Sequence, residues 1–531
     1  MALRAADILV ETLVEAEIPY LFTLSGNQIL PLFDATIGRE IELVHTRHEA
    51  TAVHMADGWG RLTEQPGIAL LTAGPGHCNG VSALYTARMA ESPLLLLSGS
   101  SPAGKAGLGV FQDIDQVSIA APLCKAAWEV ADPANIGNDV RRALEICRSG
   151  RPGPVHLSLP QDVLEATATP NNPTPGAAGN GNQIEPNQVA QILETLNAAE
   201  RPLILCGPAM SRNERWQEVC AFSRLISVPA LPMESPRGIN DPWQHGATTC
   251  LDKADDVLLL GKRFDLTLGT TAAPIFDPCC KLMQVDADAV ELRQHDSLVG
   301  TFEADPLDAV KSLSSAIAGR SWNSPEWEDE IKAARSAVPD TWQELRSGTA
   351  LPMHPLAICD ALRGVIDDDA VVVSDGGEVG QWMQTGLDPD CRLINGPSGS
   401  IGSSIGLGLA AQLVHPQRRV FVLCGDGTAG YHLLDLDTAL RHQLPVVVVV
   451  GNDSCWNAEH QLQLKQFGAD RVVGCELLRT RYDRVATALG GHGEFVQHPD
   501  ELLPAIRRAM DSGLPACVNT VIAAAGAPTF R

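Results

Sequence analysis

The sequence has few basic side chains for its length. Of its 531 residues, 39 are lysine or arginine and 64 are aspartate or glutamate, which gives a formal net charge of −25 at pH 7. Such a charge repels nucleic acids and anionic membrane surfaces. We therefore expect neither as a partner, and we expect a small-molecule substrate.

Long apolar runs and paired cysteine motifs are also missing. No stretch approaches the roughly 18 uninterrupted apolar residues of a membrane-spanning helix, and Arg4 and Asp7 place charge inside a helical pattern at the amino terminus. The fourteen cysteines lack CxxC spacing, and only Cys279 and Cys280 are adjacent. Neither a zinc ribbon nor a disulfide framework is indicated. These features predict a cytoplasmic protein whose cysteines are mostly reduced and buried.

The length exceeds what one hydrophobic core usually supports, so several domains are expected. Residues 166–182 are too rich in proline, glycine and asparagine for a regular element, and a second break falls between about residues 336 and 355. These boundaries predict three domains, at residues 1–165, 186–335 and 355–531.

Each predicted domain alternates short Val, Leu and Ile runs with longer helical patterns. This alternation is typical of α/β domains, and it predicts three consecutive doubly wound parallel sheets. The strand-like runs are residues 67–72, 94–98, 203–206, 257–260, 282–285, 371–374, 420–423 and 446–450.

Two strand-like runs near the carboxyl end stop at acidic, glycine-bordered turns. One turn is Gly425-Asp426-Gly427 and the other is Gly451-Asn452-Asp453. The segment between them has room for one crossover helix, which would place both turns at the same edge of a parallel sheet. Asp426 and Asp453 could then share a cation, and the glycines would let the backbone approach a phosphate closely. The pattern predicts a metal-bridged diphosphate.

Two features of the first domain are ambiguous by themselves. Glu49 opens a helical pattern, where an acidic residue is favoured by the helix dipole without any further role. The turn from Gly74 to Asn79 follows a strand and opens another helix. It could be an ordinary connection or a weak nucleotide site.

Taken together, the motifs resemble the thiamine diphosphate (ThDP) enzymes of the acetolactate synthase, 2-hydroxyacyl-CoA lyase and oxalyl-CoA decarboxylase superfamily. Four ordered segments carry the resemblance. They are Arg47-His48-Glu49-Ala50 with Ala56-Asp57-Gly58, Gly74-Pro75-Gly76-x-x-Asn79, Phe111-Gln112-Asp113, and Gly425-Asp426-Gly427 through Asn452-Asp453. The chain departs from the commonest Asn-Asn form at Asp453, and the extra carboxylate predicts tighter Mg²⁺ binding.

The resemblance implies pyrimidine-binding, central and diphosphate-binding domains, and it implies roles for individual residues. Glu49 would pair with a ring nitrogen of the pyrimidine and control its proton, and Gln112 would be the main polar contact to the substrate. Mg²⁺ would be held by Asp426, Asp453 and the Cys455 carbonyl. The implied cofactor contacts are Glu49, Gly74, Pro75, Asn79, Gly377, Glu378, Gly399, Ile401, Gly425, Asp426, Gly427, Thr428, Ala429 and Asp453. The implied substrate contacts are Asn27, Gln28, His77, Phe111 and Trp456.

Alternatives remain for several of these residues. Ile401 could be a core isoleucine at a glycine-rich helix entry, residues 375–378 could be a simple tight turn, and His77 could be an exposed turn residue. The central domain could hold FAD, ADP or nothing. Its strand ends, with Asp286 after one of them, form a plausible adenine-nucleotide crevice.

Because Glu49 and the metal residues lie in different domains, the resemblance implies a homodimer or a dimer of dimers with the active site across the subunit interface. The first-choice activity is that of a 2-hydroxyacyl-CoA lyase or related carboligase, and the alternative is an acetolactate synthase-like reaction of 2-oxo acids. A non-catalytic scaffold is a further alternative. A nicotinamide oxidoreductase is disfavoured because no specific dinucleotide fingerprint opens a domain.

Overall fold

Three parallel sheets follow one another along the chain, as the sequence predicts. The structure is a computed structural model, and it describes residues 2–105, 107–174, 183–268, 275–277, 279–292, 298–317, 322, 325–347 and 350–528. Every strand pair within the three large sheets is parallel. The predicted fold class is therefore confirmed.

The first sheet has six strands in the order β3-β2-β4-β5-β7-β6, and a separate antiparallel pair, β1 with β8, joins the two ends of this region. The strands are β1 (Leu3–Arg4), β2 (Tyr20–Thr23), β3 (Glu42–His45), β4 (Gly67–Leu71), β5 (Leu94–Ser100), β6 (Ala126–Glu129), β7 (Pro154–Pro160) and β8 (Thr167–Ala168). The helices are α1 (Ala5–Glu15), α2 (Leu30–Ala35), α3 (Glu49–Thr63), α4 (Pro75–Met89), α5 (Gln116–Ala120), α6 (Ile136–Arg148) and α7 (Gln161–Glu165).

The central sheet has five strands in the order β10-β9-β11-β12-β13. The strands are β9 (Pro202–Cys206), β10 (Ala230–Pro232), β11 (Asp256–Leu260), β12 (Lys281–Asp286) and β13 (Leu298–Glu303). The helices of this region are α8 (Pro186–Ala198), α9 (Asn213–Ile226), α10 (Pro306–Ser315), α11 (Pro325–Ser336) and α12 (Asp340–Ser347).

The third sheet has six strands in the order β15-β14-β16-β17-β19-β18. The strands are β14 (Val371–Ser374), β15 (Cys391–Ile394), β16 (Val420–Gly425), β17 (Val447–Asn452), β18 (His492–Val496) and β19 (Ala516–Val521). The helices are α13 (Leu356–Arg363), α14 (Gly377–Gly386), α15 (Ser404–Val414), α16 (Asp426–His432), α17 (Leu436–Arg441), α18 (Asn457–Phe467), α19 (Tyr482–Leu489) and α20 (Pro499–Asp511).

Two details of the sequence prediction need correction. The predicted first linker contains β8, whose two residues pair with β1, and residues 175–182 of that linker lie outside the described residues. The expected single crossover helix between β16 and β17 is two helices, α16 and α17, separated by a 3₁₀ turn at Leu433–Asp435.

Contact between the first and third domains explains the interruption between α16 and α17. Asp435, in the 3₁₀ turn, accepts hydrogen bonds from the Arg47 N–H at 2.7 Å and from the Thr51 hydroxyl at 2.6 Å. Both donors belong to the first domain, near the start of α3. The turn therefore places the Asp435 carboxylate against the first domain.

Helices α3 and α15 pack at close range and join the same two domains. A Cβ built at Gly58 would lie 2.9 Å from the Ala410 Cβ, and one at Gly406 would lie 2.7 Å from the His54 Cβ. One hydrophobic core accordingly contains residues of both domains. Glu49, at the first position of α3, is thereby fixed relative to the third domain of its own chain.

All fourteen cysteines are unpaired thiols and most are buried, as predicted. Among the described residues, no helix combines the length and the apolarity needed to cross a bilayer. The cytoplasmic location stays a prediction.

Candidate active site

Asp426 and Asp453 meet at the carboxyl ends of two neighbouring strands. Strands β16 and β17 pair in parallel with Gly425 opposite Gly451. Asp426 directly follows Gly425, and Asp453 is two positions after Gly451. The two carboxyl groups interact, and the Oδ2 atom of each is buried without a hydrogen-bond partner among the described residues. Burial raises the pKa of both carboxyls, and the charge of Asp426 raises that of Asp453 further. Two unsatisfied oxygens of this kind fit a hard divalent cation.

A cation at this point would need other ligands besides side chains. Among the described residues there is no group of three or more His, Cys, Asp or Glu side chains suited to a metal. The Cys455 N–H donates to Asp453 Oδ1 at 3.1 Å, and burial raises the pKa of the Cys455 thiol to about 11. The thiol is therefore neutral near pH 7, and only the carbonyl of Cys455 is suited to a hard cation.

A cavity of about 220 Å³ opens beside these carboxylates. It brings together most of the third-domain residues that the sequence predicts. Those that line it are Gly377, Glu378, Gly399, Ile401, Gly425, Asp426, Gly427, Thr428, Asp453, Cys455 and Trp456. Ala429 is fully buried and is not part of the lining.

Gly427 lies under the indole of Trp456. A Cβ built at Gly427 would lie 2.6 Å from Cζ3 of Trp456, so any other residue would displace the ring. Tyr431 meets the same indole edge-on, with ring centroids 6.4 Å apart. Gly427 is thus required for packing against Trp456, in addition to the close approach of a phosphate to its backbone that the sequence predicts.

The loop at residues 395–403 is held by Asp375, a fully buried carboxylate at the end of β14. Asp375 accepts hydrogen bonds from the N–H groups of Gly376 at 2.7 Å, Gly402 at 3.0 Å and Ser404 at 3.1 Å. Within the loop, the Asn395 amide donates to the Ser400 carbonyl at 2.8 Å. These contacts fix the loop residue Ile401 at the cavity wall. The sequence placed Asp375 in a phosphate-facing turn but did not indicate this anchoring.

Glu49 belongs to a second group of predicted residues, in the first domain. Its side chain is 8% exposed, and the Asn79 amide donates to its Oε2 atom at 3.0 Å. His48 caps α3 by accepting the Ala50 N–H at 3.0 Å. Glu49 therefore keeps one carboxylate oxygen free of Asn79.

Gln112 lies over the glycine turn of the same domain. A Cβ at Gly74 would lie 2.9 Å from the Gln112 Cβ, and Gln112 itself has φ of 60°. Pro75 and Asn79, in and after this turn, are exposed.

The remaining predicted substrate residues differ in accessibility. Gln28 is buried and accepts the Thr72 hydroxyl at 2.6 Å, whereas Asn27 is exposed and Phe111 is 73% exposed. His77 is fully buried, with Nδ1 2.9 Å from the Ser98 hydroxyl, and burial lowers its pKa to about 4. The alternative of an exposed turn residue is therefore wrong for His77. The substrate roles of these residues stay predictions.

The cavity and the Glu49 group are separate within one chain. The cavity lining comes from the central and third domains, and Glu49, Asn79 and Gln112 are not part of it. We call the cavity and the Glu49 group two half-sites, and within one chain the second is not part of the wall of the first.

The central domain contributes lining residues that the sequence did not identify: Ser235, Pro236 and Arg237. The Arg237 guanidinium lies 3.6 Å from a carboxylate oxygen of Glu378. One signal in the sequence was a cation immediately before Gly238, just beyond β10. That signal does not reveal which domain the arginine faces.

The predicted nucleotide crevice of the central domain is occupied by protein side chains. Arg151, 8% exposed, forms ion pairs with Glu91 and Asp286 and donates to the Gly261 carbonyl at 3.0 Å. The remaining cavity there measures about 20 Å³. Among the described residues of the central domain, this arrangement does not fit an adenine nucleotide, and we derive no step through FAD or ADP.

Comparison with known families agrees with all three sheets. Residues 3–119 match the family described as "Thiamine pyrophosphate enzyme, N-terminal TPP binding domain", residues 189–313 match its central domain, and residues 375–520 match its C-terminal TPP binding domain.

Individual relatives extend over nearly the whole chain. The "Acetolactate synthase large subunit IlvG" of Mycobacterium tuberculosis is 34% identical, covering 98% of this chain and 96% of that protein. "2-hydroxyacyl-CoA lyase 2" is 31% identical in Danio rerio, over 94% of this chain and 87% of that protein, and 30% identical in Homo sapiens, over 96% and 88%. The chain therefore belongs to the thiamine diphosphate-dependent enzymes that cleave or form carbon–carbon bonds.

Proposed function

We propose that Mg²⁺, held by Asp426, Asp453 and the Cys455 carbonyl, binds the diphosphate of the cofactor in the 220 Å³ cavity. The observation that carries this proposal is the pair of adjacent carboxylates, each with a buried oxygen that has no hydrogen-bond partner among the described residues. Without a cation such a pair is electrostatically unfavourable. The glycine-rich walls at Gly377, Gly399 and Gly427 leave the backbone accessible to a ligand.

When bound, thiamine diphosphate supplies the nucleophilic carbon and the electron sink for bond cleavage or formation next to a carbonyl. The residues of this chain supply position and proton control. Asn79 fixes Oε2 of Glu49, so that the carboxyl can hold or release a proton at a ring nitrogen in a defined direction. Ile401, fixed by the Asp375 contacts, would support the bend between the two rings.

We further propose that the enzyme is a homodimer, or a dimer of dimers, in which Glu49 of one copy meets the cavity of another. The separation of the two half-sites within one chain supports this arrangement. Large apolar side chains near both half-sites are exposed in the single chain, and a second copy would cover them. They include Leu108 and Phe111 on the first domain and Leu462, Phe467 and Leu478 on the third.

Two substrate classes fit this site, and each is favoured by a group of relatives. One is a 2-oxo acid, as in the relatives named acetolactate synthase, and the other is a 2-hydroxyacyl-CoA, as in those named 2-hydroxyacyl-CoA lyase 2. Purified protein with ThDP and Mg²⁺ should be assayed separately for acetolactate from pyruvate and for aldehyde from a 2-hydroxyacyl-CoA. We expect turnover in at least one assay. A protein that binds ThDP but turns over neither class would support the scaffold alternative instead.

A further inference from the structure

The cavity beside Asp426 and Asp453 has an uneven charge distribution. Its lining includes four carboxylates, at Glu378, Asp426, Asp453 and Glu459. Among the side chains that line it, Arg237 is the single cation. An anionic group entering this cavity is repelled by these carboxylates, and Arg237 is the one cationic side chain of the lining that attracts it.

Arg237 is held in place by its backbone and by one carboxylate. Its N–H donates to the buried Ser235 hydroxyl at 3.2 Å, and the next residue, Gly238, has φ of 55° with no room for a Cβ against the Thr267 carbonyl. The guanidinium lies 3.6 Å from Glu378, too far for a hydrogen bond, and is 31% exposed. The loop is therefore fixed while the tip of the side chain stays accessible.

The guanidinium of Arg237 makes no hydrogen bond to any described residue, although it carries five N–H donors. A planar guanidinium with free donors matches the two oxygens of a carboxylate. Glu378 orients it without using those donors. The side chain is thus available to a ligand in the cavity.

Arg237 lies between two parts of the cavity wall, because its guanidinium is beside Glu378, in the turn that the resemblance assigns to the diphosphate, and its neighbour Pro236 is beside the loop that carries Ile401. The adjacent Pro236 lies 3.7 Å from the Cβ position of Gly399, in the loop that carries Ile401. The cation site is formed instead by the ends of β16 and β17, where a metal would already neutralise the phosphates. Because a metal would already neutralise the phosphates, the positive charge of Arg237 would stabilise a substrate anion more than it would stabilise the cofactor.

We propose that Arg237 binds the carboxylate of the donor substrate, so that the donor is a 2-oxo acid and the residue determines this specificity. The inference rests on the proposed function, because it assumes that the cavity holds the cofactor. The oxyanion that Arg237 binds could also be the diphosphate of the cofactor. The experiment separates these two sources.

The test compares Arg237→Gln and Arg237→Lys with the wild-type enzyme and with Arg507→Gln, a change at an exposed arginine on α20. Steady-state rates are measured with pyruvate and with neutral acetaldehyde, and the ThDP dissociation constant is measured with Mg²⁺ from tryptophan fluorescence. For Arg237→Gln we expect the KM for pyruvate to rise about 10- to 100-fold, as for loss of a charge-assisted hydrogen bond. The acetaldehyde rate and the ThDP dissociation constant should change less than about twofold, and Arg237→Lys should recover part of the pyruvate KM.

Four results would overturn the inference: an unchanged pyruvate KM, an equal loss with acetaldehyde, a weakened ThDP affinity in Arg237→Gln, or a wild-type enzyme that accepts only a 2-hydroxyacyl-CoA. The third result would assign Arg237 to the diphosphate. Failure of the wild-type protein to bind ThDP at all would refute the proposed function itself. This outcome is distinguishable from failure of the inference, because it is observed in the wild-type protein and not in the Arg237 variants.

Discussion

The Glu49 carboxylate is nearly buried, and Asn79 binds only one of its two oxygens. We propose that the second oxygen holds and releases a proton at a ring nitrogen of the cofactor pyrimidine. A glutamine has nearly the same shape and can still accept from Asn79, but it cannot hold and release a proton.

For Glu49→Gln we therefore expect cofactor binding to remain within a few-fold and turnover to fall by about 10²- to 10⁴-fold, the usual size of a lost acid–base group. Calorimetric titration of ThDP and a steady-state assay check the two parts. Glu40→Gln, at an exposed glutamate, is the matched control and should leave both unchanged. Wild-type activity in Glu49→Gln would refute the proton role.

A second residue-scale prediction concerns pH. Burial lowers the pKa of His77 from 6.5 to about 4, so the unfolded chain binds this proton more readily than the folded protein between those values. Stability is therefore full above about pH 6.5 and decreases as the pH falls towards 4, by up to ~1.4 kcal/mol per pH unit from this group. Urea unfolding at pH 7 and pH 5 should show a smaller decrease in His77→Gln than in the wild type. His498→Gln, at an exposed histidine, should show the wild-type decrease.

Individual residues also show how far sequence reasoning extends. Asp426 and Asp453 could be brought together from the sequence because each follows a strand, and parallel neighbours end at one edge. Arg237 could not, because it reaches the cavity from another domain and no spacing rule connects it to Glu378. Asp375 was recognised as a turn residue, but its bonds to Gly402 and Ser404 depend on the folded loop.

At the scale of elements, the loop at residues 395–403 and the helix interruption after α16 have the largest consequences. The loop positions Ile401, and Asp375 holds the end of the loop by accepting the N–H groups of Gly402 and of Ser404, the first residue of α15. The strands around it were predictable from their apolar runs. The 3₁₀ turn at Leu433–Asp435 was not, since its cause is the contact of Asp435 with Arg47 and Thr51 in another domain.

For Asp375→Asn we expect a loss of about 1–3 kcal/mol in the free energy of unfolding, because an amide group would turn a donor towards buried N–H donors. We also expect weaker ThDP binding, since the loop would lose its anchor. Urea unfolding and ThDP titration measure these effects, with Asp390→Asn at an exposed position as the control. Equal stability of the two variants would show that Asp375 does not anchor the loop.

At the scale of the whole molecule, the three-domain fold follows from the alternation of apolar runs and helical patterns, and the packing of α3 on α15 adds a constraint that the sequence did not show. This packing fixes Glu49 relative to its own third domain, and Glu49 is not part of the cavity lining, so we propose that a second chain completes the site. We expect a dimer or tetramer by sedimentation at micromolar concentration. A monomer that retains full activity would contradict this arrangement.

Mixing two inactive variants tests the same arrangement by function. Chains with Glu49→Gln and chains with Asp426→Ala each lose every site, but a mixed dimer contains one site with both residues intact. After subunit exchange, an equal mixture should recover about a quarter of the wild-type activity. A mixture whose mixed dimers form but stay inactive would place both residues in one chain's site.

Calorimetric titration of ThDP with Mg²⁺ and with a chelator shows directly whether Asp426 and Asp453 hold a diphosphate through a cation. We predict one ThDP per chain with Mg²⁺, affinity at least about tenfold weaker with the chelator, and a milder loss in Asp453→Asn than in Asp453→Ala, because an amide oxygen can still coordinate. Equal affinity with and without Mg²⁺, or equal Mg²⁺ dependence in the wild type and in Asp453→Ala, would contradict the account.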